Sequence, residues 1–84
     1  MKRELTIVIP TYNERKNIEP LIQLLNKAFK GHSWEGLFVD DDSSDGTAQL
    51  IKEIGQRDDR IHCLHPPDFR IEAPKLFLSM DNIE

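Results

Sequence analysis

The sequence predicts an α/β fold, a parallel sheet with flanking helices, in the element order βαβαβ. Three observations carry that expectation. Short apolar runs rich in β-branched residues alternate with segments whose apolar residues recur at helical spacing, and polar turns separate the two kinds of segment. The strands are separated by helix-length connections, which join parallel neighbours through right-handed crossovers.

Leu5-Thr6-Ile7-Val8-Ile9 is an almost unbroken apolar run that ends at Pro10, as expected of a central strand covered on both faces. The polar stretch Thr11 to Lys16 reads as a loop. Asn17 is the expected cap of a first helix, with Glu19 and Pro20 in its first turn, where a negative charge and a missing amide donor are tolerated. Ile18, Leu21, Ile22, Leu25, Ala28 and Phe29 form its apolar stripe, and Gly31 stops it. Trp34 to Val39 is a second strand, weakened by Gly36, that runs into the acidic turn Asp40-Asp41-Asp42-Ser43-Ser44-Asp45-Gly46. Asp45 is the expected cap of a second helix with Ala48, Leu50, Ile51 and Ile54 inward and Gly55 closing it. Ile61 to Leu64 is a third strand. Regular structure breaks at His65-Pro66-Pro67-Asp68-Phe69, and Lys75 to Met80 reads equally as a short strand or a helix.

Composition narrows the partners. A chain of 84 residues has room for one small domain, and 38% hydrophobic with 31% charged residues suits a folded one. A formal net charge of −4 without a long basic run argues against nucleic acid, whereas a nucleotide held through a metal ion stays compatible with an acidic chain. The single cysteine, Cys63, cannot pair within the chain and fits a reducing cytoplasmic setting. The first apolar run is too short for a signal peptide, and no stretch nears the roughly 18 to 20 apolar residues of a membrane span.

In an open parallel sheet ligands bind beyond the carboxyl ends of the strands, where Pro10 to Glu14 and Asp40 to Asp45 both lie. If the first two strands are neighbours, these loops share one crevice in which Tyr12 meets several carboxylates. Tyr12 would lie against a base or ribose, Glu14 and Asp40 would accept hydrogen bonds from ring nitrogens or ribose hydroxyls, and backbone at Pro10 and Thr11 would meet the base edge. Asp40 and Asp41, adjacent carboxylates at a strand end, call for a donor or a cation, although solvent alone would also suffice. Asp42 to Gly46 read equally well as ordinary turn and cap residues. His62, Cys63 and His65 lack the spacing of a zinc finger, and alternation along a strand accounts for them. His32 reads as a loop residue and Trp34 as a packed one.

The segments Ile7-Val8-Ile9-Pro10-Thr11-Tyr12-Asn13-Glu14 and Phe38-Val39-Asp40-Asp41-Asp42-Ser43-Ser44-Asp45-Gly46-Thr47 resemble, in order and spacing, the two opening signatures of family 2 glycosyltransferases. Asn17-Ile18-Glu19 and Arg60-Ile61 resemble the dolichol-phosphate mannosyltransferase branch. The resemblance implies the nucleotide-sugar-binding half of a Rossmann-like glycosyltransferase A fold in residues 1–64, with a divergent, irregular tail in 65–84. It implies GDP-mannose or a related donor and transfer of the sugar, with inversion, to a dolichyl or other polyprenyl phosphate in a membrane. Full-length relatives would then work at its cytosolic face.

By the same resemblance Pro10, Tyr12 and Glu14 line the base and ribose pocket, Asp40 reads the nucleoside, and Asp41 is a second acidic position. A divalent cation, Mg or Mn, is expected in full-length relatives. Its Asp-x-Asp ligands are missing here, where Pro66 to Pro74 carries no glycine and Asp81 stands alone and early. No catalytic or metal residue is therefore assigned, and the chain is expected to be truncated, inactive alone, and short of a further domain or protein partner. Two other classes compete. A phosphoacceptor receiver module would explain Val39-Asp40-Asp41-Asp42 but would place its acidic pair after the first strand. A non-catalytic remnant would bind no nucleotide.

Overall fold

The computed structural model describes residues 4–65 and a strand at 75–77. In chain order the elements are β1 (Leu5–Thr11), α1 (Arg15–Ala28), β2 (Trp34–Asp40), α2 (Thr47–Arg57), β3 (Ile61–Leu64) and β4 (Lys75–Phe77). The strands form one sheet in the order β3-β2-β1-β4, and every pairing is parallel. The alternating α/β order expected from the sequence is thus present, with a fourth strand added. Of the stretch Lys75 to Met80, its first three residues pair with Thr6, Ile7 and Val8 as a strand, while 78–80 lie outside the described residues, as do Pro66 to Pro74 and Asp81.

Alternation along the strands sorts side chains between two faces. Ile7 and Ile9 from β1, Trp34 and Phe38 from β2 and Ile61 from β3 join Ile18, Leu21, Ile22 and Leu25 of α1 and Ile51 and Ile54 of α2 in one apolar cluster. Both helices therefore cover the same face. Val8, Leu37 and Val39, of opposite parity, are buried as well, which is why β1 reads as a continuous apolar run rather than an alternating one. Each fully buried side chain of this size contributes about 1.5–3 kcal/mol of transfer free energy.

Several boundaries differ from the sequence expectation, each for a tertiary reason. β1 runs through Pro10 to Thr11. Thr11 C=O faces β2, where it accepts Asp41 N–H at 3.0 Å, so by alternation the Pro10 nitrogen faces the other side, beyond the last β1 residue paired to β4, Val8. Proline is tolerated where no ladder donor is required. α1 begins at Arg15 with Glu14 at the N-cap, so Asn17 is not the cap and Pro20 lies inside the helix. Ala28 is exposed, and Phe29 packs on the core as the C-cap residue instead of within the helical stripe. Gly46, at φ 87°, holds the N-cap position of α2 that the sequence assigned to Asp45.

Gly55 does not end α2, which continues to Arg57. A Cβ on Gly55 would lie 2.7 Å from the backbone oxygen of Ile61, so the missing side chain is what lets the helix approach β3. Gly36 is less tightly held, since its Cβ would lie 3.3 Å from Phe38 Cε1 and 3.5 Å from Trp34 Cζ3, both side-chain atoms. Trp34 is 1% exposed, and the Arg60 guanidinium sits 4.5 Å from its ring centroid. It is packed, as expected, with Arg60 fixed by a paired contact to Asp58 at 2.7 and 2.9 Å.

Helix propensity favours alanine over glycine by about 1 kcal/mol, whereas forcing a methyl group against fixed backbone costs about 1–3 kcal/mol. Gly55→Ala is therefore expected to lower the urea midpoint, and an unchanged or raised midpoint would show that α2 does not pack this closely on β3.

Candidate functional site

The β1–β2 register puts Thr11 directly opposite Asp40, so the loops after these strands leave the sheet side by side. Asp40 is 3% exposed. Its Oδ1 accepts the Thr11 hydroxyl at 2.7 Å and the Ser43 hydroxyl at 2.6 Å, and its Oδ2 accepts Ser43 N–H at 3.0 Å. A carboxylate has about four acceptor positions, so three donors leave one free, on Oδ2. Burial pushes the Asp40 carboxyl up, but the Ser43 hydroxyl and amide and the Thr11 hydroxyl outweigh it, holding the group below its ordinary value despite the like charge of Asp45.

A second set of bonds joins the loops further out. Asn13 N–H donates to Ser43 Oγ at 2.8 Å, and Asn13 Oδ1 accepts Ser44 N–H at 2.8 Å and the Ser44 hydroxyl at 3.4 Å. Asn13 and Asp42 adopt left-handed backbone, at φ 51° and 56°, a conformation that short polar side chains tolerate better than most. Past the loops, Asp45 ties the two helices together: Oδ2 accepts Arg15 N–H at 3.2 Å, and Oδ1 accepts Thr47 N–H at 3.0 Å and the Thr47 hydroxyl. Thr47 Oγ1 in turn accepts Glu14 N–H at 3.0 Å, and Arg15 Nη1 reaches Gly46 O at 3.1 Å. The Thr47 hydroxyl, then the backbone donors, hold the Asp45 carboxyl below its usual range.

The candidate residues divide accordingly. Thr11 and Asp40 are buried and bonded to each other. Pro10, near the end of β1, and Tyr12 and Asp41, on the adjoining loops, are exposed, Tyr12 at 61%. Glu14 is half-buried, and one oxygen of its carboxylate accepts Asn17 Nδ2 at 2.8 Å. The acidic turn is mainly structural through Ser43 and Asp45. Asn13, Ser43 and Thr47 lie within the two signature segments, and Ser43 reads as a turn residue, but the bonds they make between the loops were not read from the sequence. Neither the signatures nor composition reveals those partners, since Asn, Ser and Thr beside glycine and aspartate mark a turn without saying what the turn touches.

A divalent cation does not fit the donors gathered here. Among the described residues no three His, Cys, Asp or Glu side chains converge on one point, and Asp40 and Asp45 are engaged by N–H and O–H donors. His62 faces Glu35 at 3.7 Å and His65 faces Asp42 at 3.4 Å. Cys63 is half-buried between them, its thiol pushed up by burial and then by the Asp40 charge.

Both lowered carboxyls bind protons more readily in the unfolded chain. Their stabilisation is complete above the ordinary value of 3.8 and is lost as pH falls below it. Asp40→Asn, which turns an acceptor into a donor facing Ser43 or Thr11, is expected to cost about 1–3 kcal/mol near neutrality. In urea melts this deficit should shrink at about pH 3; a deficit that is constant with pH would mean the Asp40 charge is not what the two loops hold.

The model of "Glycosyl transferase family 2" matches residues 6–70. A dolichol-phosphate mannosyltransferase of Pyrococcus furiosus is 39% identical over 54 residues, covering 64% of this chain and 15% of that protein. An undecaprenyl-phosphate 4-deoxy-4-formamido-L-arabinose transferase of Salmonella paratyphi B is 37% identical over 59 residues, covering 68% of this chain and 18% of its own length. The chain thus spans less than a fifth of these relatives. In fold it matches the mannosyltransferase PcManGT of Pyrobaculum calidifontis, solved in complex with GDP-Man and Mn2+, at a TM-score of 0.59 and 23% identity over 86% of this chain and 22% of that one. The matched stretch contains both signature loops and the three strands and two helices that hold them, and the chain belongs to glycosyl transferase family 2.

Proposed function

We propose that the chain is the nucleotide-sugar-binding part of a glycosyltransferase whose donor is GDP-mannose and whose acceptor is a dolichyl or related polyprenyl phosphate at the cytosolic face of a membrane. The observation that carries this reading is the Thr11–Asp40 register, which sets the aromatic loop of β1 beside the acidic loop of β2. Tyr12 offers an exposed ring on which a base can stack. The free acceptor position on Asp40 Oδ2 can take one N–H or O–H from the base or ribose, and Glu14 and Asp41 supply further carboxylate oxygens on the adjoining backbone. Pro10 and Thr11 bring backbone to the base edge. These residues bind and orient the nucleoside end of the donor and carry no bond-breaking step.

The donor and acceptor are supported by the names of the relatives. Two of them act on polyprenyl phosphates, and the first relative and the structural neighbour are both mannosyltransferases. In such relatives a divalent cation would offset charge on the departing nucleoside diphosphate. Among the described residues no helix is long and apolar enough to cross a membrane. The chain alone binds nucleotide and is inactive in transfer.

Titration of the chain with GDP and UDP, followed by amide NMR, is expected to give a Kd on the order of 1 mM, with GDP the tighter. Stacking of a base on an aromatic ring contributes about 1–3 kcal/mol, so Tyr12→Ala should weaken GDP at least about fivefold while leaving the melting temperature unchanged, because the ring is exposed. Shifts with neither nucleotide, or equal binding by the variant, would remove the reading.

A further inference from the structure

Tyr12 is the residue on which the proposed nucleoside site most depends, and its flanking backbone is anchored on both sides. On one side Thr11 is paired in the sheet and bonded to Asp40. On the other, Asn13 makes three hydrogen bonds into the facing loop, to Ser43 Oγ and to both the amide and the hydroxyl of Ser44. The Ser43 hydroxyl continues to Asp40 Oδ1, so Asn13, Ser43, Asp40 and Thr11 form a closed chain of bonds around the base of the Tyr12 loop. The left-handed backbone at Asn13, φ 51°, turns its side chain and its amide toward the same partner loop.

We infer that Asn13 is a positioning residue for nucleotide recognition: its side-chain oxygen fixes the Tyr12 loop against the Ser43–Ser44 turn, so that the ring is already placed before a base arrives. The inference rests on the nucleoside site proposed above and adds a residue that does not itself touch the ligand. Pre-placing a ring spares the ordering entropy that binding would otherwise cost. Two requirements meet at this position and can be separated by substitution. The backbone requirement is met by Gly, Asn or Asp; the clamp requirement, an acceptor oxygen for Ser44, is met by Asn or Asp and not by Gly. Asn13→Gly therefore removes the clamp without straining the turn, and it leaves the bond from residue 13 N–H to Ser43 in place. Asn13→Asp restores the acceptor.

The test compares the chain with its Asn13→Gly and Asn13→Asp variants, well below their melting temperatures, by amide hydrogen exchange at Ser44 and by GDP titration. Loss of one hydrogen-bonded clamp corresponds to about tenfold in each readout. Asn13→Gly should speed Ser44 exchange and weaken GDP by that factor, and Asn13→Asp should recover most of both. If the unsubstituted chain binds GDP and Asn13→Gly binds it equally well, the inference is overturned while the nucleotide reading stands. It is overturned in the same way if Asn13→Asp is as impaired as Asn13→Gly. If the unsubstituted chain binds neither GDP nor UDP, the site reading itself fails, and the inference with it.

Discussion

The arrangement of this chain depends on one buried carboxylate being satisfied across two strands. Asp40 ends β2 at 3% exposure, and an ionised group taken that far from water is tolerated only with donors already in place. Those donors come from Thr11 on the neighbouring strand and from Ser43 in the turn that follows. The β1–β2 register and the shape of the acidic turn are therefore not independent. A one-residue slip would turn the Asp40 and Thr11 side chains to opposite faces and also expel either Ile7 and Ile9 or Phe38 from the helix-covered face. The apolar and polar demands select the same register, and that agreement makes the crevice a fixed feature of the sheet.

What the sequence made legible follows the same division. The strand at Leu5, the stripe from Ile18 to Leu25 and the alternating order were readable because periodicity is a local signal tied directly to burial. Tyr12 and Asp40 could be placed together because strands joined by a helical crossover are commonly neighbours. The misplaced details depended on atoms distant in the chain. Asn17 is a good cap by type, but the amide at Arg15 is satisfied by Asp45, thirty positions away. Gly55 resembles a helix stop by type, but its reason is the Ile61 oxygen that arrives from β3. The role of Asp40 was legible as polarity at a strand end and not as geometry. Nothing local shows that most of its acceptor capacity is consumed by Ser43 and Thr11.

The same bonds bear on how a nucleotide could be held. In many doubly wound folds the amides that open a helix take the phosphates of the ligand. Here the first amide of each helix is occupied by the chain itself, Arg15 N–H and Thr47 N–H going to Asp45, and the N-cap amide of Glu14 goes to Thr47 Oγ1. A carboxylate thus occupies the position between two helix starts where a phosphate would otherwise find donors, and the favourable dipole end of each helix is already matched by negative charge. A diphosphate approaching this point would meet Asp45 and the exposed Asp41 and Asp42, with the exposed Arg15 guanidinium at Gly46 O the nearby positive charge. On the reading proposed above, the described residues suit the nucleoside, where an aromatic face and acceptor oxygens are useful, better than the diphosphate. That asymmetry gives a physical reason for two loops rich in acidic residues to serve a negatively charged ligand. Asp40 and Asp45 hold the loops, and under the proposed reading a nucleoside would use only the acceptor positions those bonds leave over.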